Sequence, residues 1–92
     1  MSKTKTMLTN DSSTIKFKKA FLAELNVIFD LYNLTPKDVA KIMNVSRVQI
    51  DKYLVGSNNM SIFLLKKLLE HFNLTLSMFF EKIERRLNNE RK

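Results

Sequence analysis

Five of the six consecutive residues Arg47-Val48-Gln49-Ile50-Asp51-Lys52, all but Ile50, carry side chains whose chemistry matches the edge of a base pair. The Arg47 guanidinium is a planar fork that can donate twice to guanine O6 and N7, a pairing that carries about 1–3 kcal/mol of discrimination. Lys52 can donate to the same acceptors from a single point. The Gln49 amide can pair with adenine N6 and N7, and Val48 can meet a thymine methyl. Asp51 can accept from cytosine N4, or it can instead orient Arg47 or Lys52. Charged residues on a helix usually form a solvated face, so the base-edge reading depends on the elements that hold these five side chains.

Other chemistry is poorly supplied. The chain has 92 residues and is 45% hydrophobic, enough for one compact domain and short for the clefts of most enzyme folds. The absence of cysteine excludes a disulfide framework, a zinc finger and a thiol nucleophile. His71 is the single histidine, so a histidine metal cluster and a Ser-His-Asp triad both lack material. We read His71, beside Phe72, as an ordinary helix residue. No catalytic residue, cofactor or metal ion is expected. Sixteen Lys and Arg against nine Asp and Glu give a formal charge of +7, which makes a polyanion the first partner to consider. No run approaches the roughly 20 apolar residues that cross a bilayer, and no signal-type apolar core follows the basic N-terminus, so a cytoplasmic protein is expected.

The positioning elements follow from the spacing of apolar residues. With Gly56 the sole glycine and Pro36 the sole proline, the chain lacks the punctuation of a sheet protein, and it shows neither β-alternation nor an internal repeat. Residues 1–13, polar apart from Met7 and Leu8, are expected to form a flexible basic arm. From Thr14 or Ile15 to about Asn33, the residues Phe17, Phe21, Leu25, Ile28 and Tyr32 recur at helical steps. Leu22, Val27, Phe29 and Leu31 widen that arc, so both of its flanks need cover. Thr35-Pro36-Lys37-Asp38 opens a second helix: Thr35 caps, Pro36 takes the first position, where its missing N–H is not needed, and Asp38 can complete a reciprocal cap. That helix runs to about Met43, and Asn44 suits a left-handed exit. Ser46, with Gln49 three residues on, caps a third helix from Arg47 to Leu54, which Gly56 stops. After the polar loop Ser57-Asn58-Asn59, residues Ile62, Leu65, Leu68, Leu69 and Phe72 mark a fourth helix capped by Ser61. Leu76, Phe79, Phe80, Ile83 and Leu87 mark a fifth, capped by Thr75. The domain is expected over 14–88, with 89–92 a charged tail. Met43 and Met78 are read as fillers of the core.

Residues 36–55 therefore form two short helices joined at Asn44-Val45. Ala40 allows close approach, and Val39, Met43, Val45, Ile50 and Tyr53 supply a shared core, as in a helix-turn-helix. From about Phe21 to Phe80 the chain resembles the Cro/CI-type (XRE) helix-turn-helix family. The resemblance rests on Leu34-Thr35, Asp38-Val39-Ala40, Asn44-Val45-Ser46-Arg47, Ile50 and Gly56, then on Leu65, Leu68, Phe72, Asn73, Leu74 and Thr75. It implies an all-α fold, a compact five-helix bundle of the lambda-repressor-like DNA-binding type with its helix-turn-helix at 36–55. It also implies that the third helix lies in the major groove, with Arg47, Val48, Gln49, Asp51 and Lys52 facing the bases. Three positions depart from the family pattern: Pro36 replaces a usual Gln, Asn44 the turn Gly, and Leu54-Val55 a common Glu-Arg. The first removes a side-chain contact to phosphate, which other donors must supply.

Thr35, Lys37, Ser46, Ser57, Asn58 and Asn59 lie at helix starts or in the flanking loop and are candidate phosphate contacts, although Thr35 and Ser46 can serve as caps alone. Lys3 and Lys5 give the arm a candidate DNA contact. The expected function is a sequence-specific double-stranded DNA-binding transcription regulator, a dimeric repressor on a near-palindromic operator, with an origin in a phage or mobile element. The dimer face is expected on the fifth helix, at Phe79, Phe80, Ile83 and Leu87. The alternatives are an antitoxin-type regulator whose main partner is another protein, and a helical adaptor that does not bind DNA.

Overall fold

A computed structural model describes residues 12–91. They form five α-helices, with no strand among the described residues: α1 (Ser12–Leu31), α2 (Pro36–Met43), α3 (Arg47–Leu54), α4 (Ile62–His71) and α5 (Leu76–Arg91). The fold is the all-α five-helix arrangement expected from the sequence. No helix among the described residues is long and apolar enough to cross a membrane.

Three of the four connections use one device. Asn33, Asn44 and Asn73 stand in the left-handed region, at φ 54°, 60° and 58°. The N–H of each donates to the carbonyl three residues back. The next residue, Leu34, Val45 or Leu74, donates five residues back, to Phe29, Ala40 or Leu69. This pair of bonds satisfies carbonyls that a helix end leaves open. One residue further on, the hydroxyl of Thr35, Ser46 or Thr75 accepts from the N–H of Asp38, Gln49 or Met78 and so starts the following helix. Asn, an apolar residue and Ser or Thr thus end one helix and begin the next within three positions. The fourth connection ends in the same way, with Gly56 at φ 83°, but runs on through a loop to the Ser61 cap.

α1 packs along α5, and α2 packs on both α3 and α4. Leu25, Ile28 and Phe29 of α1 meet Val39, Ala40 and Met43 of α2, Ile50 and Tyr53 of α3, and Leu65, Leu68 and Leu69 of α4 in one core. Two ring pairs tie distant helices. Phe21 meets Phe79 edge-on at 5.3 Å, and Tyr32 stacks on Phe72 at 4.1 Å between centroids, 16° from parallel. Tyr32 and Phe72 each precede one of the Asn turns, so Tyr32-Asn33-Leu34-Thr35 and Phe72-Asn73-Leu74-Thr75 are a four-residue repeat whose two copies lie against each other.

Several expectations need correction. α1 begins at Ser12, two residues inside the span read as an arm, and ends at Leu31 rather than Asn33. α5 continues to Arg91 through the span read as a tail, because Asn88 and Asn89 only weaken a helix that is already nucleated and do not break it. Phe79 and Ile83, expected on a dimer face, are 3% and 0% exposed and belong to the core; Phe80 and Leu87 pack at its edge. α1 covers that side of α5. Conversely Met78, Ile62, Val27 and Leu31, read as core or as surface needing cover, are exposed in this chain.

Glu24 of α1 is the buried charged residue among the described residues, and its Oε1 accepts from Arg86 Nε of α5 at 2.9 Å. A carboxylate on an apolar face is tolerated there because a charge-assisted bond replaces the water it loses. The Arg86 side chain stays 39% exposed, so solvent shares its charge and the pair is weaker than a fully buried one. Arg86→Ala is expected to lower unfolding free energy by about 1–3 kcal/mol, since it strands the buried carboxylate. Urea unfolding of Arg86→Ala and of the double variant Glu24→Leu/Arg86→Met checks this: the double variant should recover most of the loss.

Candidate nucleic-acid interface

α3 is anchored before it is exposed. Its Ser46 cap accepts from the Gln49 N–H at 3.1 Å, and Ile50 and Tyr53 are buried against α2 and α4. Only half of the expected reciprocal cap forms, because the Gln49 side chain makes no return bond and its amide stays unengaged within the described residues. The rest of the helix faces outward: Arg47, Val48, Asp51 and Lys52 are all exposed, and Gln49 is half-buried at the edge. Val48 is 61% exposed, an apolar contact point among charged neighbours.

Arg47 Nε donates to Asp51 Oδ1 at 3.3 Å across one helical turn. Of the two roles open to Asp51, orientation of Arg47 is the one seen in the free chain. The bond takes one of the guanidinium donors and leaves both terminal NH2 groups unengaged among the described residues. The Lys52 ammonium has no protein partner among the described residues. Its carbonyl, by contrast, accepts from the Ser57 N–H, the Ser57 hydroxyl and the Asn58 N–H at 3.0, 3.3 and 3.3 Å, and this fastens the following loop to the end of α3. Ser57 is therefore committed internally on both of its donors, whereas Asn58 and Asn59 keep exposed side-chain amides.

The remaining candidate phosphate contacts divide in the same way. Thr35 is a cap: its hydroxyl accepts from Asp38 N–H, and its own N–H donates to Asp38 Oδ2 at 2.9 Å. The Ser46 oxygen accepts from Gln49, which leaves the hydroxyl proton able to donate outward. Lys37 is exposed on the first turn of α2. Lys3 and Lys5 lie outside the described residues.

Two lysines absent from the sequence reading position this face. Lys18 Nζ of α1 donates to Gly56 O at 2.6 Å, where a cation also suits the carbonyl end of α3. A Cβ on Gly56 would stand at ordinary contact distance, 3.5 Å from Lys18 Cε, so glycine is required there by its φ of 83° and not by space. Lys67 of α4 donates to Met43 O at 3.4 Å, across the end of α2. Neither bond has a local signature, since the partners are 38 and 24 residues apart.

Two short helices fixed at an Asn turn, the second presenting an exposed polar face, define a helix-turn-helix domain. The helix-turn-helix family model matches residues 28–79, more than half of the chain, and spans α2, α3 and α4 with the adjoining ends of α1 and α5. The chain belongs to this Cro/CI-type helix-turn-helix family of DNA-binding regulators. No curated protein and no solved structure matches the chain.

The Asp38 carboxyl is held below its ordinary value of 3.8, first by the Thr35 backbone N–H and then by the Thr35 hydroxyl, with smaller help from Lys41 and Lys37. A depressed folded-state pKa means that this cap stabilises the fold above the ordinary carboxylate range and loses its contribution as pH falls through the folded value. The margin of the wild type over Asp38→Ala in thermal unfolding should therefore be full at neutral pH and shrink on acidification below pH 3.8, with a constant margin counting against the cap.

Proposed function

We propose that the chain is a repressor that acts as a dimer in the cytoplasm and reads a near-palindromic operator with α3 in the major groove. The observation that carries this is the Arg47–Asp51 pair on the outward face of α3, beside the unengaged Gln49 amide, Val48 and Lys52. These groups are donors, an acceptor and a methyl surface on one rigid helix, the requirement for direct readout. Arg47 and Lys52 donate to purine acceptors, Gln49 donates to adenine N7 and accepts from its N6, Val48 meets a thymine methyl, and Asp51 holds Arg47. Lys37, Ser46, Asn58 and Asn59 contact the phosphates on either side, while Thr35 and Ser57 shape the helix start and the loop. With Phe79 and Ile83 committed to the core, pairing of two copies uses surface that the monomer leaves exposed. Val55, Ile62 and Phe63 flank the loop after α3 and are all of that kind.

Selection of bound duplexes from a random library at near-physiological salt tests the reading. The wild type should enrich a two-fold symmetric site, and Arg47→Ala should lose about 1–3 kcal/mol of preference at one base pair in each half. On the enriched site, log affinity should fall with log salt at a slope of about −0.9 for each phosphate neutralised. A folded protein that enriches nothing, or whose affinity ignores salt, would instead act through a protein partner.

A further inference from the structure

A cleft of about 230 Å³ lies between the first half of α1 and the loop that follows α3. Phe17, Phe21, Leu22 and Leu25 form one wall, and Tyr53 and Met60 form the other. Besides the Tyr53 hydroxyl, the polar residues of its lining are Thr14, Lys18, Asn58 and Asn59. Two of these groups are satisfied less than the fold requires. Lys18 Nζ donates to Gly56 O at 2.6 Å, but an ammonium has three donors, and Lys18 makes no ion pair among the described residues. Tyr53 is 7% exposed, yet its hydroxyl has no hydrogen-bond partner among the described residues. No side-chain polar atom is both sealed and unpaired there, so this hydroxyl keeps access to solvent, and the cleft is the space that Tyr53 lines.

We propose that this cleft binds a small aryl carboxylate, with its ring among Phe17, Phe21 and Leu22 and its carboxylate toward the Lys18 ammonium and the Tyr53 hydroxyl, and that the bound acid weakens the hold on DNA. Size favours this ligand: a cavity of about 150 Å³ holds one benzene and pockets for drug-sized ligands run from about 300 Å³ upward, so 230 Å³ suits one ring with a short arm. The walls suit a ring as well. Phe17 and Phe21, with centroids 6.3 Å apart and planes tilted by 46°, offer a face and an edge to a third ring. Charge selects the head group. The spare ammonium N–H groups and the phenolic O–H are donors that a carboxylate satisfies with charge-assisted bonds, whereas an amine would meet Lys18 with like charge. The cleft also shares a wall with the DNA face: Tyr53 belongs to α3, and Asn58 and Asn59 are proposed phosphate contacts. A bound anion therefore stands beside the DNA backbone and repels it, and by linkage the duplex weakens the acid by the same factor. This regulatory step rests on the DNA reading; the binding of the acid does not.

The test titrates benzoate, phenylacetate and hydrocinnamate, at matched ionic strength, into the full chain carrying ¹³C-methyl methionine. At least one acid should saturate with a Kd of about 1 mM or tighter. It should shift the Met60 methyl and the Phe21 and Tyr53 rings, and leave the methyl of Met78, which lies outside the cleft, in place. The neutral amide of the best acid should bind about tenfold more weakly, and Lys18→Met should cost the acid about as much. Tyr53→Phe removes a hydroxyl that the fold leaves unpaired, so it should stay folded and lose about threefold in affinity. Saturation by none of the acids, an amide that binds as well as its acid, or full affinity in Tyr53→Phe overturns the site. Should Lys18→Met unfold, the amide and Tyr53→Phe decide. On the selected duplex, a saturating acid should weaken wild-type binding by about fivefold or more. Unchanged or tighter binding overturns the regulatory step alone. Absence of DNA binding without any acid is failure of the DNA reading, and the titration still decides the site.

Discussion

Every helix junction among the described residues depends on one constraint, that a backbone turning out of a right-handed helix needs a residue able to hold positive φ. The chain meets it three times with Asn and once with Gly. Asn tolerates the left-handed region better than other side-chain-bearing residues, and it restricts the unfolded chain more than Gly does, so the turn is specified with less conformational freedom to lose. The apolar residue after each Asn packs at the edge of the core, and the Ser or Thr that follows caps the next helix. Turn, packing and restart are thereby fixed together, and so is the angle at which α3 leaves α2. The outward direction of Arg47 and Lys52 is a consequence of Asn44 as much as of their own helix.

Around these turns the long-range charges act as ties. Lys18 joins α1 to the end of α3, Lys67 joins α4 to the end of α2, and Glu24 joins α1 to Arg86 of α5. Two of the three are lysines on backbone carbonyls at or just beyond helix C-termini, where orphan acceptors and the helix dipole both favour a cation. Part of the excess positive charge therefore serves the fold and is not available to a polyanion. The charge left over on α3 and the first turn of α2 is small in number, and its value lies in being concentrated on one face.

Helix starts were legible in the sequence wherever a cap marked them; Asn33 stands two residues past the end of α1, but α2 and α3 were bounded correctly at both ends by Thr35, Asn44, Ser46 and Gly56. The start of α1 and the end of α5 were not, because Ser12, Ser13, Asn88 and Asn89 add no apolar period and yet do not forbid a helix. Periodicity showed that α5 has an apolar face but not what covers it, so Phe79 and Ile83 were assigned to a second copy when α1 covers them. Met78 and Ile62 failed in the opposite sense: they are apolar residues that their neighbours leave about half exposed. Glu24 had no local signal at all, since its partner lies 62 residues away. The candidate reading face was more legible than the core, because on a short helix two buried positions fix the other positions as outward.

The Arg47–Asp51 bond is an arrangement that DNA can use without dismantling it. An exposed pair of this kind contributes about 0–1 kcal/mol to the fold, so it is poorly explained as a stabilising device. Its geometric effect is larger. With Nε engaged by Asp51, the two terminal NH2 groups are the donors left to the guanidinium, and in the proposed complex they are the ones to meet the O6 and N7 of guanine. Holding the fork in advance also lowers the rotamer entropy lost on binding, which for a side chain as long as arginine is a large part of the cost of making the contact. In the proposed complex Asp51 then contributes to specificity without touching a base. Its negative charge, set beside Arg47, would in that complex also disfavour a slide of the side chain onto a neighbouring phosphate and so favour the base contact over a backbone one.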